Sequence, residues 1–216
     1  MNNKISITYL ILMIAPLVFG CRGTVKEENE NASASSVSLH VGNDKYIMID
    51  TKESVVTWKG SNLNGLNTQT GYVYISKGEL MIENGQLVGG TVEIDMNTIE
   101  DKNHRSDNNL VNHLKDPDFF EVKKFPFATI VITKVALING ENKNITGNLT
   151  IKGITHPVTF PAKMEVKDGI VRANGKLVID RTLWDVRYKS AKFYDNLANQ
   201  TMSDSIEFYI KIVAKK

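Results

Sequence analysis

From Lys45 onward the chain alternates apolar and polar residues with a period of two, the mark of strands that bury one face. Val88, Gly90, Val92, Ile94 and Met96 share one face, while Thr91, Glu93 and Asp95 take the other. Val158, Phe160, Ala162, Met164 and Val166 oppose Thr159, Pro161, Lys163 and Glu165. Ala173, Gly175, Leu177 and Ile179 oppose Arg172, Asn174, Lys176 and Asp180. Ile206, Phe208, Ile210 and Ile212 oppose Ser205, Glu207, Tyr209 and Lys211. The spacing predicts about eight strands, over 46–60, 71–82, 86–97, 126–138, 144–153, 155–166, 170–180 and 203–214, the first broken near Lys52. Between them, Glu83-Asn84-Gly85, Asn139-Gly140 and Lys167-Asp168-Gly169 supply the positive φ angles of tight hairpins.

Consecutive strands joined by hairpins or short excursions make an antiparallel sheet. With one apolar face it must either close into a barrel or fold into a sandwich. Long strands and two long connections, 98–125 and 181–202, favour an all-β, antiparallel eight-stranded barrel. In the first connection Leu110, Val111 and Leu114 stand at helical spacing, with Asp107 as the expected N-cap and Asp116-Pro117 as the stop. The 126–138 strand is apolar on both faces, so its inward side stays open at this point.

The N-terminus changes the picture most. Lys4 precedes an apolar run from Tyr9 to Phe19, shorter than the roughly 18 residues of a membrane-spanning helix. The run ends in Leu17-Val18-Phe19-Gly20-Cys21, a small residue directly before the chain's one cysteine. That pattern predicts a lipoprotein signal over 1–20, with Cys21 as the lipid attachment point and acyl chains such as palmitate as the anchor. More than one chain is needed for firm attachment. Residues 21–44, with Lys26-Glu27-Glu28 and Ala32-Ser33-Ala34-Ser35-Ser36, read as a polar flexible tether. Residues 45–216 form the folded domain. The expected address is the envelope of a Gram-negative bacterium, at the periplasmic face or the outer-membrane surface.

Charge and composition exclude more than they suggest. A formal net charge of +2 argues against a nucleic-acid partner. No Gly-x-Ser-x-Gly elbow or Gly-rich phosphate loop is present, and Cys21 is consumed by the anchor, so no catalytic residue is expected. Asp185, Arg187 and Tyr188 are the one cluster that an enzymatic reading could use. His104 and His113 lie nine apart, the wrong spacing for a helical ligand pair, and no metal is expected. His156 reads as a hydrogen-bonded strand-end residue.

What remains is the interior. An eight-stranded barrel is filled by side chains or holds one small ligand. Parity turns Trp58, Val92, Ile94, Phe160, Met164, Leu177, Ile179, Phe208 and Ile210 inward, with Trp184 contributed by the second excursion. Small inward residues such as Gly90, Ala162, Ala173 and Gly175 either leave room for a hydrocarbon guest or sit opposite large ones in a solid core. Arg181, Trp184, Arg187, Tyr188 and Lys189 would supply a polar rim.

The stretches His113–Pro126 and Ile145–Val158 resemble two signatures of the YceI-like family of polyisoprenoid-binding proteins. His113-Leu114-Lys115-Asp116-Pro117-Asp118-Phe119-Phe120-Glu121-Val122-Lys123-Lys124-Phe125-Pro126 is similar to the family's HL…FF-x-V…P signature. Ile145-Thr146-Gly147-Asn148-Leu149-Thr150-Ile151-Lys152-Gly153-Ile154-Thr155-His156-Pro157-Val158 is similar to its second signature. The resemblance runs from about Tyr46 to Val213 and implies a lipocalin-like barrel around a quinone or polyprenyl lipid, without catalysis or cofactor. The partners it implies are an isoprenoid or other long apolar lipid and the membrane, with a second copy of the chain as an open option. It also implies that Phe119 and Phe120 fold the first excursion over the barrel. The chain departs from the family at Glu53 and Gly60–Gly65, where histidines are common, and at Trp58, where phenylalanine is common. The competing expectation is a solid barrel that serves the envelope as a structural or interaction lipoprotein.

Overall fold

The computed structural model of the chain describes residues 37–40, 42–43, 45–197 and 200–215. The expected signal segment, Cys21 and the expected tether as far as Ser36 lie outside the described residues. Nine strands build one closed antiparallel sheet: β1 (Tyr46–Ile49), β2 (Val55–Gly60), β3 (Gln69–Glu83), β4 (Gln86–Asp101), β5 (Phe127–Asn139), β6 (Asn142–Ile151), β7 (Ile154–Lys167), β8 (Ile170–Asp180) and β9 (Ser205–Lys215). Both β1 and β2 pair with β3 on one side and β9 on the other. They are two halves of one stave, so the barrel has the expected eight.

The break in that stave falls over Asp50–Ser54, and the ladder is mended by side chains. Ser54 Oγ donates to Val213 O (3.2 Å) and accepts from Val213 N–H (2.9 Å), while Asp50 N–H donates to the same carbonyl (2.8 Å). Closure runs β2–β9–β8–β7–β6–β5–β4–β3 and back to β2. The tight turns 84–85, 140–141 and 168–169 lie together at one end, the hairpin end. The loops 61–68, 102–126, 152–153 and 181–204 lie at the other, the loop end.

Strand parity holds over the middle of each stave and fails at its bulges. Ser76 is squeezed between the pairs Ile75–Ile94 and Lys77–Glu93, so the inward set of β3 changes from Val73 and Ile75 to Gly78 and Leu80. Val88 lies unpaired between Gly89–Met81 and Leu87–Ile82. It was expected to face inward, but the bulge turns Leu87 in, and Val88 is only half-buried. Val166 was also expected inside and is 42% exposed. In β5 a shift between Ile132 and Lys134 separates an inward Ala128, Ile130 and Ile132 from Val135, which packs on the core with opposite parity.

Helix α1 (Asn109–Lys115) forms in the first long connection. Its N-cap is Asn108, whose side chain accepts from Val111 N–H, and not the expected Asp107. Asp101 explains the displacement. Its carboxylate gathers the N–H groups of Asn103 and Arg105, the Arg105 guanidinium and the Asn108 amide, and so presents the Asn108 oxygen to the helix. Val111, Leu114, Phe119 and Phe120 are buried from α1 and the turn after it, and they close the loop end like a lid. Truncating either phenylalanine costs about 3–5 kcal/mol.

Two further features close the wall. Among the described residues β7 and β8 pair only from Ala162–Gly175 to Lys167–Ile170. Beyond that the seam holds a 3₁₀ turn, Arg181–Trp184, with Trp184 Nε1 donating to Leu149 O (3.1 Å) and its ring edge-on to His156. On the outer face, Glu79 and Glu93 are each only 2% exposed, because Val37–His40 lies over them. Val37 N–H donates to Glu93 (3.0 Å) and His40 N–H to Glu79 (2.7 Å), with the His40 ring stacked on Tyr46. Tyr46 enters the barrel opposite Met81, His40 lies at Glu79, and Val37 lies at Glu93, opposite Lys77. The strap therefore runs back from the hairpin end toward the loop end.

Candidate functional site

Inside the barrel lies a cavity of about 290 Å³, at the lower edge of the size range of ligand pockets. All eight staves contribute to it. Val56 and Trp58 line it from β2, Val73, Ile75 and Leu80 from β3, and Leu87, Val92, Ile94, Met96 and Ile99 from β4. Ala128, Ile130 and Ile132 come from β5, Ile145, Leu149 and Ile151 from β6, and Phe160, Ala162 and Met164 from β7. Ala173, Gly175 and Leu177 come from β8 and Ile206, Phe208, Ile210 and Ile212 from β9, while the lid adds Leu110, Leu114, Phe119 and Phe120.

Among the described residues, the polar side chains bordering the cavity lie at the loop end: Ser61, Asn62, Asn67, Gln69, Ser203 and Arg181. Asn67 and Gln69 are exposed, so the cavity reaches solvent beside the β2–β3 loop. Leu63 and Leu66 of that loop are 68% and 64% exposed. The loop is held by Leu63 N–H donating to Thr201 O (3.0 Å) and by Ser203 N–H donating to Ser61 O (2.9 Å).

Of the side chains expected inside, Trp58, Val92, Ile94, Phe160, Met164, Leu177, Phe208 and Ile210 border the cavity. Ile179 and Trp184 do not. Ile179 is buried opposite Ile206 near the end of β8, and Trp184 is taken up by the β7–β8 seam. The small inward residues divide between the two roles that parity left open. Gly175 makes space for Phe160, whose Cε2 would stand 3.0 Å from a Cβ there. Ala162 and Ala173 border empty volume.

The expected polar rim is not a rim. Arg181 is 1% exposed and spends its guanidinium on three carbonyls: Ser203 O (3.0 Å), Val186 O (2.6 Å) and Tyr188 O (2.8 Å). Burial lowers its pKa, opposed by the nearby Asp204 and Asp180 carboxylates. Arg187 pairs with Asp185 and lies over Phe193, and neither member of that pair borders the cavity. Tyr188 packs against His113 and Phe119, and Lys189 Nζ donates to Gln200 (2.8 Å). His156 is the hydrogen-bonded strand-end residue expected, its Nε2 assigned as donor to Leu183 O (3.0 Å). His104 stacks on Tyr72 and pairs with Glu100, apart from His113. His113, Asp116 and Asp118 bring ligand-type atoms within 4.8 Å of one another, with both carboxylates exposed.

The lining residues absent from the expected set include those of the lid, Val56 of β2, Val73 and Ile75 of β3, Ile145, Leu149 and Ile151 of β6, and Leu87 and Ile99 of β4. Leu110 and Leu114 carried a legible signal, the i, i+4 spacing on one helix face. Leu87 and Ile99 carried none, because the bulges that turn them inward are set by the partner strand.

A family profile described as the YceI-like domain matches residues 48–214. A UPF0312 protein from Enterobacter sp. (strain 638) is 44% identical over 73 residues, which is 34% of this chain and 35% of that protein. Protein YceI from Salmonella arizonae is 42% identical over the same length, with 36% of that protein covered. The chain thus matches about a third of the length of these curated relatives. BcnA from Burkholderia cenocepacia superposes with a TM-score of 0.62 at 22% identity, covering 77% of this chain and 99% of that one. A polyisoprenoid binding domain from Saccharophagus degradans superposes with a TM-score of 0.59 at 12% identity, covering 79% and 98%. At these identities the two structures share the fold with this chain.

Proposed function

The chain belongs to the YceI-like family, and from that premise we propose that it is a membrane-tethered carrier holding one isoprenoid chain, a quinone or polyprenyl lipid, in its barrel. The observation that carries this reading is the cavity, which is apolar along its length and polar only at the mouth. A hydrocarbon tail would exchange water for apolar wall at about 25 cal/mol per Å² of buried surface. The name of the Saccharophagus domain supports the same ligand class. A void inside the barrel counts against the competing reading of a solid structural lipoprotein. Among the described residues bordering the cavity no nucleophile is paired with a base, which supports a reading of binding.

The tether reading joins this one through the strap. Val37–His40 runs toward the loop end, where the cavity meets solvent beside exposed Asn67 and Gln69. A lipid on Cys21 would tether the barrel to the bilayer in which its ligand dissolves, in the envelope of a Gram-negative cell. The test is to purify the full chain from membranes, extract it with organic solvent and identify lipids by mass spectrometry. A stoichiometric isoprenoid is expected. A barrel that is empty as purified and also refuses added quinone and polyprenol would overturn the proposal.

A further inference from the structure

The cavity is open at one end of the barrel and stopped at the other. It reaches solvent at the loop end, beside Asn67 and Gln69. Toward the hairpin end its lining finishes with Leu80, Leu87, Met164, Ala173 and Ile212. Beyond these stand Ile47, Ile49, Val171 and Ala214, core residues between 0% and 7% exposed, and none of the four borders the cavity. Strand register gathers them into one layer. Ile49 pairs with Ala214, Ala214 with Val171, and Ile47 with Leu80. Ile49 also lies close against β3, since a Cβ at Gly78 would stand 2.7 Å from its Cδ1. Side chains packed to this density leave no passage for a hydrocarbon chain.

Volume and length then limit what can lie above that layer. A hydrocarbon carbon takes about as much room as a liquid water, roughly 30 Å³, so a cavity of about 290 Å³ holds on the order of ten carbons. The lining of β9 runs from Ile206 to Ile212, about 20 Å along the strand and about 15 Å along the axis of a tilted barrel. Bonds of about 1.5 Å make an isoprene unit about 5 Å long. Together these admit about two to four isoprene units, whereas a tail of forty carbons would need about four times the volume.

Resting on the carrier reading above, we infer that the layer of Ile47, Ile49, Val171 and Ala214 is a length stop that selects a short-tailed isoprenoid. The ligand enters tail first and its apolar end halts on this layer. Its head stays at the mouth, among Ser61, Asn62, Asn67, Gln69 and Ser203.

The test offers the full chain, in detergent micelles, equimolar sets of free prenols and isoprenoid quinones with two to eight units, and reads the bound fraction by mass spectrometry. The wild type is expected to favour two- to four-unit tails at least about tenfold over eight-unit ones. Micelles themselves retain long tails more strongly, so the stop is read from the shift between proteins. Ile49→Ala combined with Val171→Ala removes five side-chain carbons, the content of one isoprene unit, and opens space below the cavity. It should raise the ratio of bound five-unit to three-unit tails about threefold or more. Ala162→Val combined with Ala173→Leu adds five carbons at residues that border the void. It should lower the ratio of four-unit to two-unit tails by about the same factor. A third readout uses the wild type alone. The terminal methyl groups of a bound three-unit prenol should show nuclear Overhauser contacts to Leu80 and Ile212, and its hydroxyl end should not. One length profile shared by all three proteins, or terminal methyls in contact with Asn67 and Gln69 instead, overturns the length stop and leaves the carrier reading standing. Failure of every prenol and quinone to bind any of the proteins overturns both.

Discussion

Asp101 shows how much a single side chain organises. It is 5% exposed and holds the loop between β4 and α1 by accepting from Asn103, Arg105 and Asn108. Hydrogen bonding to Arg105 lowers its pKa from 3.8 to about 2. The folded value lies below the unfolded one, so its contribution to stability is present above the unfolded value and is lost as pH falls through the folded one. Urea midpoints measured at about pH 5 and about pH 2.5 should therefore fall less in Asp101→Asn than in the wild type. An equal fall in both would contradict the assignment. Arg181 makes a second case, because one of its backbone bonds ties the 3₁₀ turn to Ser203 ahead of β9 and the other two hold Val186 and Tyr188 after the turn. Arg181→Ala leaves three carbonyls wanting donors and should cost about 3 kcal/mol or more by urea denaturation. The sequence marked Arg181 as polar and near the mouth, yet its burial was not legible, since its partners are main-chain groups that composition does not reveal.

At the scale of elements, the alternation of Phe160, Ala162 and Met164, or of Phe208, Ile210 and Ile212, was enough to place the staves and their inner faces. It failed at Val88 and Leu87, where one unpaired residue reverses parity. It also gave no hint that Val37–His40 joins the barrel wall, because those residues make no strand and are held by Glu79 and Glu93, which alternation assigns to solvent. The strap is testable by itself. Replacing both glutamates by alanine should speed hydrogen exchange at the Val37 and His40 amides about tenfold or more, while amides in β8 and β9 keep their protection. Unchanged exchange at both amides would mean that the carboxylates do not hold the strap.

At the scale of the molecule, the cavity exists because inward side chains from eight staves do not fill the volume that closure defines. Filling it should abolish loading without undoing the fold. Ala173→Phe projects a ring into the cavity at a cost of about 1–3 kcal/mol for overpacking, and lipid recovered by mass spectrometry should drop severalfold. Full recovery from a folded variant would place the ligand elsewhere. The sequence by itself determined the number of staves, their antiparallel order, the short helix and the apolar character of the interior. Each of these depends on residues near one another in the chain and on the period of two. Only the tertiary structure decided which residues line the void, that Trp184 plugs a seam and that Ile49 and Val171 lie beyond the void's closed end. Those outcomes depend on bulge register and on close approach at Gly78 and Gly175, which are set by the facing strand and are not recorded in any one segment.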